Sequence, residues 1–90
     1  MFLATATLTG DAKYLMEDHV KFLEDGFAHG QIALFGPGSI AGSGVVIFDV
    51  PDATALAEFV SQDPLMKAGV VKYEVMEFEV AKADASKFQI

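Results

Sequence analysis

Ninety residues, 52% of them hydrophobic and eight of them Phe, describe one small domain (1–90, core 2–80, tail 81–90) whose thin core leaves apolar surface for a partner subunit. The lack of cysteine excludes disulfides and thiolate metal sites, and thirteen acids against six lysines, a formal net charge of -7, argue against a nucleic-acid partner. Met1-Phe2-Leu3-Ala4-Thr5 lacks the basic region of a signal peptide, and no apolar run nears the roughly 18 residues of a membrane span, so a cytoplasmic protein without a membrane partner is expected.

Residues 2–9 read as a strand, with Phe2, Ala4, Ala6 and Leu8 on one face and Leu3, Thr5, Thr7 and Thr9 on the other. Gly10 ends it, and Asp11 is placed to cap a helix over about 11–28. Met16, Val20, Leu23 and Phe27 form its expected buried stripe, with Leu15, His19 and Phe22 in a second row, and Gly30 follows its end. Residues 31–35 read as a second strand, 36–44 as a glycine-rich loop and 45–50 as a third strand closed by Pro51. Asp52 is placed to cap a second helix over about 53–61, with Ala53, Leu56, Phe59 and Val60 inward. Asp63-Pro64 opens a helical turn that stops near Gly69, with Asp at the N-cap and Pro at N1. Residues 70–80 form the last strand, where a change of apolar parity near Val75-Met76 predicts a bulge.

The order β-α-β-β-α-β predicts an α+β, ferredoxin-like subunit: a four-stranded antiparallel sheet with two helices on one face. The strands carry apolar residues on both faces, which predicts a second cover. A sheet-to-sheet homodimer, a dimeric α/β barrel, is the expectation; an apolar ligand or the tail are the alternatives.

His19 leads the candidate site, because imidazole carries protons at neutral pH. Taken alone it reads first as a helix histidine packed at the core edge, since a single His carries little specificity. Asp63 is at once an ordinary helix cap and, if His19 approaches it, a carboxylate able to orient the ring. Gly36-Pro37-Gly38-Ser39-Ile40-Ala41 matches G-x-G-x-x-A after a strand, but a strand rather than a helix follows. The dinucleotide reading therefore fails, because no helix N-terminus would meet the phosphates. What stays open is either a loop lining a small-molecule site through Gly36, Pro37, Gly38 and Ser39 or a plain hairpin connection. Two histidines and scattered acids show no metal-ligand spacing, so neither metal nor cofactor is expected. His29 is placed to cap the first helix, and Tyr73 reads as a cross-strand packing residue whose hydroxyl could also enter a cavity.

His19, then Gly36-Pro37, the loop through Gly44, Asp63-Pro64 with Ala68-Gly69-Val70, and a last strand with Phe78 resemble, in order and spacing, the YCII-related family of small dimeric α/β-barrel proteins. The resemblance spans about residues 2–80. It implies a ferredoxin-like subunit, sheet-to-sheet dimerisation and an active site holding a His19–Asp63 pair. Some members are enzymes on small cyclic or aromatic-derived compounds, a dehydrochlorinase among them. A basic residue, often Arg, tends to stand one turn before the family histidine; this chain has Met16 there and no Arg, which weighs against a strongly anionic substrate.

The expected function is therefore proton transfer by a His19–Asp63 pair on a small cyclic or carbonyl compound, as in a lyase or isomerase, with backbone N–H groups near Gly36 to Gly38 and Ser39 facing a developing oxyanion. The alternative from another class is a non-catalytic ligand-binding or dimerisation module. A monooxygenase on the same barrel plan is a third, by fold analogy. Phe88 and Ile90 of the tail are expected on the partner subunit.

Overall fold

The computed structural model describes residues 1–88. Strand β1 (Phe2–Leu8) alternates as its sequence demands, with Phe2 and Ala4 buried and Leu3 and Thr5 exposed. It lies between β3 (Ser43–Phe48) and β4 (Val71–Glu77), while β2 (Ile32–Pro37) pairs with β3 at the edge. The order β2-β3-β1-β4, antiparallel at every step, with helices between β1 and β2 and between β3 and β4, is the ferredoxin-like α+β plan. Phe2, Ala4, Ile32, Val46 and Phe48 from one sheet face join Leu23, Leu56 and Val60 from the helices in a single core cluster.

The first helix differs from expectation at its start and in its inward face. Asp11 caps nothing in it: its carboxylate accepts the Lys13 N–H at 3.2 Å, a turn two residues long, and a 3₁₀ turn (Lys13–Leu15) leads into α1 (Met16–Ala28). Buried Ala12 anchors that turn. The face that α1 buries is His19, Leu23 and Gly26, spaced i, i+4, i+7, while Met16, Val20 and Phe27 of the expected stripe are exposed. Gly26 is the reason. A Cβ there would stand 2.7 Å from Phe59 Cζ and 2.8 Å from Ile32 Cδ1, so the missing side chain lets the helix lie close to sheet and α2. The helix ends as predicted. Gly30 takes φ +79°, and the N–H groups of Gly30 and Gln31 return to Phe27 and Gly26 carbonyls.

The long loop expected over 36–44 is a tight hairpin instead. Gly36 and Pro37 pair with Val45 and Gly44, and Gly38 N–H donates to Ser43 C=O at 2.9 Å. The bulge lies in β2 rather than β4. The β2–β3 register slips between Ile32 and Leu34, leaving Ala33 as the extra residue, while β4 runs unbroken along β1. Val75 and Met76 are both exposed, one on each face, so their adjacency required no kink. The bulge turns Leu34 away from the helices, opposite Ile47, and sends Phe35 toward Phe27, ring to ring at 6.4 Å.

Helix α2 (Ala53–Val60) starts where predicted, with Asp52 accepting the Ala55 N–H at 2.8 Å. It buries Leu56 and Val60 and half-buries Phe59, but leaves Ala53 exposed. The other sheet face presents Leu3, Leu34, Ile47 and Met76. A groove of about 990 Å³ runs from this face round to α1, lined by Leu34, Ile47, Phe27, Phe35, Phe78 and tail residues including Phe88, which sits in a 3₁₀ turn (Ala85–Phe88). Ile90 falls outside the described residues.

Gly26→Ala should lower stability by up to about 2 kcal/mol, because an overpacking cost of about 1–3 kcal/mol outweighs the roughly 1 kcal/mol of helix propensity it gains. Phe59 has little room to yield: its ring stacks on Phe22 at 4.9 Å and meets Phe48 edge-on at 5.8 Å. A urea midpoint at or above wild type would contradict this packing.

Candidate functional site

Three elements converge where β1 ends. Helix α1 brings His19 from its first full turn, on the buried face. Asp63 caps the one-turn helix α3 (Pro64–Lys67), with Pro64 at its first position. Gly69 (φ +71°) then turns the chain into β4, where Tyr73 pairs with Ala6 on the helix side.

His19 Nδ1 lies 2.8 Å from Asp63 Oδ1, across 44 residues of sequence. The same oxygen accepts the Leu65 N–H at 3.0 Å, and Oδ2 accepts the Tyr73 hydroxyl at 2.7 Å. Asp63 is wholly inaccessible to water and His19 is 8% exposed. Burial, the largest influence on Asp63, pushes its carboxyl up. The hydrogen bonds from His19, Tyr73 and the Leu65 N–H, with the His19 charge, outweigh it, and the net direction is down. Tyr73 is raised well above the ordinary phenol value by burial first and then by its bond to Asp63, so it stays protonated and donates.

These assignments settle the imidazole. An ionised carboxylate only accepts, so Nδ1 must carry the proton shared with Asp63 Oδ1. In the neutral ring Nε2 then holds the free lone pair. Among the described residues Nε2 has no hydrogen-bond partner, and no buried side-chain nitrogen or oxygen lacks one, so Nε2 keeps contact with the surface. The ring is held at one nitrogen and open at the other.

The Gly36–Ser39 segment does not join this network. It borders the same end of the sheet, since Leu8 N–H donates to Gly42 C=O across the hairpin and Thr9 N–H to Val70 C=O beside α3. Gly38 spends its N–H within the hairpin and Pro37 has none, which leaves the exposed Ser39 hydroxyl as the segment's side-chain donor. His29 caps α1 as expected: its Nδ1 stands 2.7 Å from the Asp25 carbonyl oxygen. Among the described residues no three His, Asp or Glu side chains gather as a metal-ligand set, and no helix is long and apolar enough to cross a membrane. Neither the groove beyond the sheet nor the hollow on the outer face of α1 is lined by His19 or Asp63.

Tyr73 is the member of the network that reading the sequence assigned to packing. One signal was present. Tyr73 falls on the helix-side parity of β4, and an inward tyrosine needs a partner for its hydroxyl.

The fold is that of a small α+β protein, and its buried His–Asp–Tyr network leaves His19 Nε2 unpartnered among the described residues. A YCII-related domain matches residues 4–79, and the chain is a member of that family. No curated protein matches the chain. Among solved structures it is similar to the 5-chloro-2-hydroxyhydroquinone dehydrochlorinase of Burkholderia phenoliruptrix, determined with 2,5-dihydroxybenzoquinone. The TM-score is 0.69 at 20% identity, over 88% of this chain and 94% of that one, a likeness of fold.

The lowered Asp63 value gives a signed pH prediction. A carboxyl whose pKa falls on folding stabilises the fold fully above its ordinary value of 3.8 and loses that contribution as pH drops through the folded value. Asp63→Asn should cost about 2–4 kcal/mol at neutral pH, since it leaves buried donors without their charged acceptor. In urea titrations the gap to wild type should narrow below about pH 4. An equal gap at low and neutral pH would contradict an ionised Asp63.

Proposed function

We propose that this protein is a small enzyme in which His19 moves a proton on a cyclic hydroxylated or carbonyl compound, with Asp63 as the orienting partner. The observation that carries the reading is the imidazole fixed at Nδ1 by a buried carboxylate with Nε2 open. Nε2 takes a proton from a ring hydroxyl or from a carbon beside a carbonyl, leaving an enolate-type anion and an imidazolium. Asp63 stabilises that imidazolium across the Nδ1 bond. Return of the proton to another carbon is isomerisation; departure of a leaving group from the anion is a lyase step. The dehydrochlorinase of like fold supports the lyase form and a quinone-sized ring. Gly36, Pro37, Gly38 and Ser39 would wall the substrate, and with Gly38 N–H engaged the Ser39 hydroxyl becomes their polar contact. Met16, one turn before His19, supplies no charge, which favours a neutral or weakly acidic ring.

Chlorinated hydroxyhydroquinones and hydroxyquinones, followed by ultraviolet absorbance and chloride release, form the first panel. With a substrate in hand, His19→Ala should lower kcat/KM by about 10²–10⁴-fold, the usual worth of a positioned acid–base group. Full activity in that variant would refute the reading.

A non-catalytic ligand-binding or dimerisation module is the second reading, favoured by an apolar groove whose lining includes neither His19 nor Asp63. Ring compounds would then bind without turnover, and His19→Ala would leave their affinity intact. Under either reading we propose that a second copy covers the open sheet face with Leu3, Leu34, Ile47 and Met76. Deleting residues 82–90, which remove Phe88 from the groove rim, should shift the sedimentation of this dimer toward monomer at micromolar concentration. Unchanged sedimentation would place the tail outside the contact.

A further inference from the structure

The geometry points to Tyr73 as a positioning residue that sets the strength of the Asp63–His19 hydrogen bond and keeps Nε2 the proton-transfer nitrogen. The inference deepens the proton-transfer reading and rests on it for its functional meaning. Asp63 has two oxygens and two tasks. Oδ1 serves both the Leu65 N–H and His19 Nδ1, while Oδ2 serves Tyr73. Without a donor at Oδ2, the carboxylate would hold all its bonds on one oxygen and could rotate about its last torsion. The Tyr73 hydroxyl, at 2.7 Å, closes that freedom.

The ring behind the hydroxyl is itself fixed. Tyr73 meets Phe48 edge-on at 6.4 Å, and Phe48 is fully buried. β4 carries Tyr73 in unbroken register opposite Ala6 of β1, so backbone pairing sets where the hydroxyl stands. The placement also has an electronic effect. A donor at Oδ2 draws charge from the carboxylate and makes it a weaker acceptor at Oδ1. The Nδ1 proton is therefore held less tightly than by a bare buried carboxylate. Among the described residues the titratable side chain that meets the Asp63–His19 pair is Tyr73 of β4; Glu17 and Asp18 on α1 and Lys67 on α3 are exposed.

The test reads the bond directly and requires no substrate. In the full chain labelled with ¹⁵N-histidine, the Nδ1–H resonance of His19 is observed in wild type, in Tyr73→Phe and in protein made with 3-fluorotyrosine. His29, exposed and bonded to a carbonyl, serves as the internal reference. Removing the hydroxyl strengthens Asp63 as an acceptor, so Tyr73→Phe should move the His19 proton downfield. Fluorination makes the phenol a stronger donor without changing the fold, so it should move the same proton upfield; Tyr14, exposed, contributes nothing. Opposite displacements with His29 still are the expected result. No displacement, or displacements of the same sign, overturns the inference, and the fluorinated protein decides it if Tyr73→Phe does not fold. Failure of the proton-transfer reading is separate: it appears as full turnover in His19→Ala while both displacements persist.

Discussion

A carboxylate sealed from water has to be satisfied by the protein around it, and in this chain that demand falls on Asp63. Its two oxygens draw in a ring from α1, a backbone N–H from α3 and a hydroxyl from β4. Each donor fixes the element that bears it. The helix that crosses the sheet, the turn that enters the edge strand and the edge strand itself are held in mutual register by one side chain. The neighbouring aromatic cluster of Phe22, Phe48, Phe59 and Tyr73 gives this knot a stiff wall. The oxygen that caps α3 is the same one that holds the His19 ring, so capping and ring placement cannot be separated at this position.

The sheet divides the molecule by use. The helix-side face holds the core and the His19–Asp63 pair. The opposite face holds apolar side chains, and the groove beside the tail reaches from it to Phe27 of α1 without meeting His19 or Asp63. The bulge at Ala33 sharpens that division, because it lets one edge strand give Ile32 to the core and Leu34 to the outer face with only Ala33 between them.

The order of elements could be read from the sequence because punctuation marked it: Gly10, Gly30, Pro51, Asp52 and Asp63-Pro64 each fall at an element boundary. The caps at Asp52 and Asp63 were legible for the same reason, a short carboxylate before the first helical residues. The inward face of α1 was not, since a count of apolar residues credits Met16 and Phe27 and gives nothing to a glycine or a histidine. Yet Gly26 sets the approach of the helix and His19 is buried beside it. The bulge was misplaced because Val75 and Met76 look like a parity change, whereas an edge strand can expose both. The loop over 36–44 looked long because glycine was read as absence of structure; here Gly36 and Gly44 stand in paired strand. That His19 and Asp63 meet is a tertiary fact with no local mark, and Tyr73 shows only the parity of its strand.

The span of 44 residues between imidazole and carboxylate bears on how the chain can be cut. The tip of the β2–β3 hairpin is the exposed place where a protease or an engineer would divide it, and it parts His19 from both Asp63 and Tyr73. Neither fragment inherits a usable remnant of the network. Only reassembly of the two pieces across β1, with strand pairing on both its flanks, would restore it, which makes the His19–Asp63–Tyr73 hydrogen bonds a reporter of complementation between them.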